Sequence, residues 1–178
     1  GVEFPNYLEI SESDDKEKYF VILTRLVSWK RVDIAVKAFN ELGVNLKIIG
    51  KGPELDNLKK IAGSNICFLG YVSDAEKYIL LKNAEGFINT QNEDFGISAV
   101  EAMSMGTPVV AYKKGGALES VVQGESGVFF NEQTAESLLK CVKNYRKADF
   151  NSDTIVQQAH LYSLKNFKSA FDLIVREL

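Results

Sequence analysis

The chain has 178 residues, of which 46% are apolar and 25% charged, with a formal charge of −3. That length suits one ordinary domain with one core, since domains run to roughly 100–150 residues. The balance excludes disordered and fibrous classes, and basic residues scattered along a weakly acidic chain exclude an electrostatic footprint for wrapping nucleic acid; small ligands are the expected partners.

Cys67 and Cys141 lie far apart, have no metal-ligand spacing and are too few to staple a domain of this size, so they read as reduced thiols of a cytoplasmic protein. No apolar run approaches the roughly 18 residues that span a bilayer. The opening GVEFPNYLEISESDDKEK is acidic and polar, unlike a signal peptide, and carries no strand or helix pattern before Tyr19. Residues 1–18 therefore read as the remnant of an interdomain linker, and 19–178 as the folded domain.

From Tyr19 onward, short apolar runs alternate with longer amphipathic ones: YFVILTR then RVDIAVKAFNELG, NLKIIG then PELDNLKKIAG, NICFLG then SDAEKYILLKNA. The short runs are rich in Val, Ile, Leu and Phe and do not alternate with polar residues, as strands buried on both faces require. EGFINT, TPVVAY and GVFF continue the series, with FGISAVEAMSMG as a helix running to about Met105. The expectation is an α/β fold, a doubly wound parallel sheet of about six strands with helices on both faces. Gly43, Gly63 and Gly106 each follow a helical pattern where a left-handed residue is needed, Pro53 suits a first helical turn, and Ser73 suits a helix cap. Beyond Asn131 the chain reads as a helical tail, in which Leu164, Phe167, Phe171 and Ile174 or Val175 recur at core-packing spacing.

In such a sheet, ligands sit beyond the carboxyl ends of the strands, so the loops that follow strands carry the function. The first, TRLVSWKRVD, lacks the glycines of a dinucleotide fingerprint and offers Arg25 and Lys30 instead, two cations able to neutralise a diphosphate. The alternative is a pair of solvated surface cations. Gly50 and Gly52 around Lys51, and Gly70 before Tyr71 and Val72, are turn glycines first and walls for a planar base second.

The fourth loop is QNEDFGISAVEAMSMG. Free amides from about Gly96 to Ser98 at a helix start form an anion site that the helix dipole reinforces. Glu93 before it and Glu101 one turn inside it are acidic acceptors for two sets of sugar hydroxyls, which together suit a nucleotide sugar. Glu93 could instead only complement the dipole and Glu101 only face solvent, but the apolar neighbours Val100, Ala102 and Met103 require a partner or a ligand for Glu101. His160 has no Ser, Cys or Asp constellation and reads as structural, and no cluster has metal spacing, so neither cofactor nor metal is expected.

The stretch EDFGISAVE followed by AMSMGTPVVA and GG resembles the donor-binding motif of retaining glycosyltransferases of family GT4, in the GT-B superfold. The likeness runs from about Val21 to Asn144 and takes in LTRLVSWKRVD, IIGKGPEL and FLGYVSD in order. It implies that Arg25 and Lys30 hold the diphosphate and that Glu93 contacts the transferred sugar. It further implies that Asp94, Phe95, Gly96, Ile97 and Ser98 line the sugar and phosphate path, that Glu101 takes the ribose, and that Gly50, Tyr71, Val72 and Lys77 border the base. Only the donor half of a two-domain enzyme is matched, so the acceptor half would be a partner domain, the fragment alone would be inactive, and any peripheral contact with the inner membrane surface would come through that other half. SWKRVDIAVKAFNELG, GGALESVVQGESGVFF and NEQTAESL resemble in particular mannosyltransferases of O-antigen and other surface-polysaccharide assembly, which implies GDP-mannose. The rival readings are a non-catalytic nucleotide-sugar binding module, a nucleotide-dependent oxidoreductase and a sugar-nucleotide epimerase.

Overall fold

The computed structural model describes residues 1–10 and 17–176, with backbone alone for residues 170 and 173–176. Six strands, β1 (Tyr19–Leu23), β2 (Asn45–Ile49), β3 (Ile66–Gly70), β4 (Gly86–Asn89), β5 (Val109–Tyr112) and β6 (Gly127–Phe130), form one sheet in the order β3-β2-β1-β4-β5-β6, every pair parallel. Between and after them run α1 (Val32–Leu42), α2 (Leu55–Ile61), α3 (Asp74–Asn83), α4 (Ile97–Ser104), α5 (Ala117–Ser120), α6 (Ala135–Lys143), α7 (Ser152–His160) and α8 (Leu164–Arg176).

The absence of polar alternation in the strands has a direct cause. Side chains alternate across a strand, and both faces of this sheet are covered. Phe20, Ile22, Leu46, Ile48, Ile88 and Val110 pack on one side with α1 and α6; Val21, Ile49, Phe87, Val109 and Ala111 pack on the other with α4 and α7. Each of these Val, Leu, Ile and Phe side chains, when fully buried, contributes about 1.5–3 kcal/mol of transfer free energy.

Several local expectations hold and several need correction. Ser73 caps α3 in a full capping box with Glu76, and Gly43 and Gly106 are left-handed with φ of 66° and 70°. Gly63 is not in that region. Its amide donates to Asn40 Oδ1 at 2.8 Å and an added Cβ would stand 2.9 Å from Asn65 Oδ1, so close-lying side chains, and not a left-handed φ, favour glycine there. Pro53 precedes α2, whose first residue is Leu55, and lies in the turn that ties Glu54 N–H to the Leu26 carbonyl.

In α8 the aromatic rings of Phe167 and Phe171 are 54% and 56% exposed and stack on each other, rather than entering the core. The side chains of Ile174 and Val175 lie outside the described ones. In the first ten residues a short 3-10 turn, Tyr7–Glu9, breaks the featureless stretch expected there. Val2 pairs with Ser163, while Phe4, Tyr7 and Ile10 pack against the second core side. No helix of the described residues is long and apolar enough to cross a membrane.

Candidate functional site

The chain builds β1, β2 and β3 to one side, then returns to set β4, β5 and β6 on the other side of β1. The reversal falls between β1 and β4, and a crevice opens there beyond the strands' carboxyl ends.

On the β1 to β3 side this crevice holds a cavity of about 370 Å³. Arg25, Gly50, Tyr71, Val72, Lys77, Ser98 and Glu101 all line it, seven of the residues singled out from the sequence. Thr24, Lys51 and Asp74 line it as well and were not assigned a role. A larger hollow of about 520 Å³ runs along β6 and α6, but no candidate residue reaches it.

Backbone approach builds the floor. Thr24 N–H donates to the Ile49 carbonyl and Leu26 N–H to the Lys51 carbonyl, which draws the loops after β1 and β2 together. Gly50 has φ 137°, and a Cβ on it would lie 1.8 Å from the Thr24 carbonyl oxygen; a Cβ on Gly52 would lie 2.2 Å from that of Leu26. No side chain fits at either point. Arg25 is exposed at the mouth and pairs with no carboxylate among the described residues, whereas Tyr71 stands at the rim, 80% exposed.

Two ion pairs mark the polar side. Lys77 on α3 donates from Nζ to Glu101 Oε1 on α4 at 2.9 Å and to Asp74 Oδ1 at 3.0 Å; the Lys77 and Glu101 side chains are 15% and 13% exposed. Burial alone would depress the Lys77 ammonium, but the bonds to Glu101 and Asp74 outweigh it and hold the group above the usual lysine range. The carboxylate expected to need a partner or a ligand thus has a partner, and still lines the cavity.

The second pair is Lys30 with Glu93, Nζ to Oε2 at 3.1 Å, both side chains mostly buried. Asn89, at the end of β4, donates from Nδ2 to Glu93 Oε1 at 3.2 Å. Lys30, Asn89, Thr24, Thr90 and Gln91 border a narrow cleft beside the main cavity, and Thr24 belongs to both.

Gly96 caps α4 in the left-handed region with φ 83°, and a Cβ on it would stand 3.2 Å from Glu93 Oε1. The Glu93 carboxylate therefore rests at the positive start of α4, and the first amides of that helix have no acceptor inside it. Asp94, Phe95 and Ile97 are exposed, and Phe95 meets Tyr162 edge-on at 5.8 Å.

The glycine pair after β5 fixes this loop. Gly116 N–H donates to the Glu93 carbonyl at 2.7 Å, and added Cβ atoms on Gly115 and Gly116 would lie 2.4 Å from the Glu93 and Asp94 carbonyl oxygens. Among the described residues no three His, Cys, Asp or Glu side chains gather as metal ligands.

Comparison with known proteins gives one family model, described as glycosyl transferases group 1, matching residues 3–159. Among curated relatives, an uncharacterized glycosyltransferase of Methanocaldococcus jannaschii is 26% identical, over 98% of this chain and 52% of its own length. The alpha-1,3/1,6-mannosyltransferase ALG2 of Dictyostelium discoideum is 28% identical over 97% of this chain and 49% of its own. The chain thus spans about half the length of these relatives. Among solved structures, the sucrose-phosphate synthase of Thermosynechococcus elongatus superposes with a TM-score of 0.82 at 18% identity, covering 98% of this chain and 51% of that one. Anabaena HepE in complex with UDP and glucose superposes with a TM-score of 0.75 at 23% identity, covering 90% and 48%. At these identities the structures establish the shared fold.

Proposed function

The chain belongs to the glycosyl transferases group 1 family, and from that membership we propose that it is the donor-binding half of a retaining glycosyltransferase that takes a hexose, mannose from GDP-mannose, to a glycan or lipid-linked acceptor. The observation that carries the reading is one cavity at the strand ends that brings together a cation with no carboxylate partner among the described residues, Arg25, a mostly buried carboxylate, Glu101, and the start of α4 at Ser98. A nucleoside diphosphate has a diol at one end and two phosphates beyond it. Glu101 accepts from the ribose, the amides at Gly96 to Ser98 and the cations of Arg25 and Lys30 take the phosphates, and Glu93 meets the sugar. Tyr71 and Val72 border the base.

In the transfer step, the bond from the anomeric carbon to the diphosphate oxygen breaks as the acceptor oxygen bonds on the same face, and the acceptor's hydroxyl proton passes to the departing diphosphate. Negative charge grows on the departing phosphates and positive charge on the sugar ring. Pre-placed cations and a helix start stabilise the first without reorganising. In this reading Arg25 and Lys30 supply the positive charge that the departing diphosphate requires. The choice of mannose is supported by the likeness to the alpha-1,3/1,6-mannosyltransferase ALG2, and that of guanine rests on the resemblance of the sequence motifs to GDP-mannose-using mannosyltransferases. The acceptor belongs to the other half of such an enzyme, so the 178-residue chain by itself transfers no sugar.

Calorimetric titration with GDP, GDP-mannose, UDP and UDP-glucose tests this. Binding of GDP and GDP-mannose is expected. Preference for UDP-glucose would overturn the assignment of base and sugar, and no binding of any of the four would overturn the donor site itself.

A further inference from the structure

Glu93 is gripped on both oxygens, and the two grips differ in kind. Lys30 holds Oε2 through a long, adaptable side chain. Asn89 holds Oε1 from the last residue of β4, a strand paired with β1 on one side and β5 on the other, and it is 3% exposed. The Asn89 amide cannot turn over, because its Oδ1 accepts the Gln91 N–H at 3.3 Å. A flipped amide would set oxygen against the Glu93 carboxylate and NH2 against the Gln91 N–H, losing both bonds.

We propose that Asn89 is a positioning residue for Glu93, keeping its carboxylate in place when Lys30 leaves it for the ligand. This rests on the reading that Lys30 meets the diphosphate and Glu93 the sugar. In the empty site the Lys30 charge is matched by Glu93. Once phosphates arrive, Lys30 swings toward them and frees Oε2, and a carboxylate held by Lys30 alone would follow it or relax toward water. Asn89 stays, so Oε1 remains fixed and Oε2 stands ready as the acceptor for one sugar hydroxyl. The backbone of Lys30 is itself tethered, its carbonyl accepting from Thr90 Oγ1 at 2.9 Å, so only the side chain has to move.

The test uses the 178-residue chain and two ligand pairs, GDP with GDP-mannose and UDP with UDP-glucose, scored on whichever pair binds. Asn89→Ala removes the donor without adding charge; Asn89→Leu, close to Asn in size and likewise without donor or charge, serves if the first variant melts early. The expected result is a loss of about tenfold or more in affinity for the sugar nucleotide, tenfold being the lower end of the worth of a hydrogen bond to a charged group, with the free diphosphate within about twofold of the unaltered chain, as independence of the two ends requires. In a Glu93→Gln background the same Asn89 change should have no further effect on that ratio. Equal losses for both ligands, no loss for either, or a loss that persists in the Glu93→Gln background would overturn the positioning role. Failure of the underlying reading looks different: the unaltered chain would then show no dependence of sugar-nucleotide binding on Glu93 at all, and the proposal falls with it.

Discussion

Lys77 Nζ stands 2.9 Å from Glu101 Oε1, tying α3 to α4 across 24 residues of sequence, with both side chains mostly withdrawn from water. Because the folded state holds the Lys77 ammonium above its ordinary value near 10.5, the stability the pair adds is complete below that value and declines only as pH rises beyond it. The difference in melting temperature between the unaltered chain and Lys77→Met should therefore stay level from about pH 6 to pH 9 and shrink only in stronger alkali. A difference that already shrinks between pH 7 and pH 9 would count against the pairing.

Glu101→Gln should weaken free GDP and GDP-mannose alike, by about 1–3 kcal/mol, the cost of losing a charged acceptor to a diol. Calorimetry on both ligands measures it. A loss confined to the sugar nucleotide would move Glu101 to the other end of the ligand.

Glu93→Gln should act on the sugar end. Removing its charge also releases Lys30, so free GDP should bind as well as before or slightly better, while GDP-mannose loses affinity. If free GDP weakened as much as GDP-mannose, the division of labour between the two glutamates would be wrong.

Arg25→Ala combined with Lys30→Ala should remove most diphosphate affinity, and adding magnesium should not restore it. Titrations with and without a chelator decide the point. Affinity unchanged in the double variant would take both cations out of the site.

Gly50→Ala should destabilise the fold, because its Cβ would fall 1.8 Å from the Thr24 carbonyl oxygen at a φ of 137°. Gly96→Val combines a left-handed φ of 83° with a Cβ 3.2 Å from Glu93 Oε1, a strain of roughly 1–3 kcal/mol for a branched residue. It should impair both ligands. Thermal melts and titrations together separate the two effects, since Gly50 acts through the floor and Gly96 through the phosphate path.

The sheet was legible in the sequence because burial on both faces leaves uninterrupted apolar runs, and the motif around Glu93 was legible because a helix start, a glycine and two carboxylates follow one another along the chain. What joins distant segments was not. Lys30 lies 63 residues from Glu93, and no periodicity connects them. Asn89 reads in sequence as an ordinary strand-end residue; only the fold turns its amide toward a carboxylate. Gly63 misled for a related reason, since a glycine after a helix signals a left-handed cap, whereas here it lies close against the side chains of Asn65 and Asn40. Phe167 and Phe171 have core spacing, but spacing names a face and not what covers it.

The reversal of strand order also has a consequence for how the molecule opens. The cavity takes walls from the loops after β1, β2 and β3 and from α4, which follows β4. A ligand seated there touches both wings of the sheet, whereas within the sheet itself only the pairing of β1 with β4 joins them. Partial openings that part the wings must release the ligand, and fraying at β3 takes away the wall formed by Gly70, Tyr71 and Val72, while fraying at β6 need not disturb it. Hydrogen exchange should therefore slow on ligand binding chiefly at the central amides of β1 and β4, with little change along the outer strand β6.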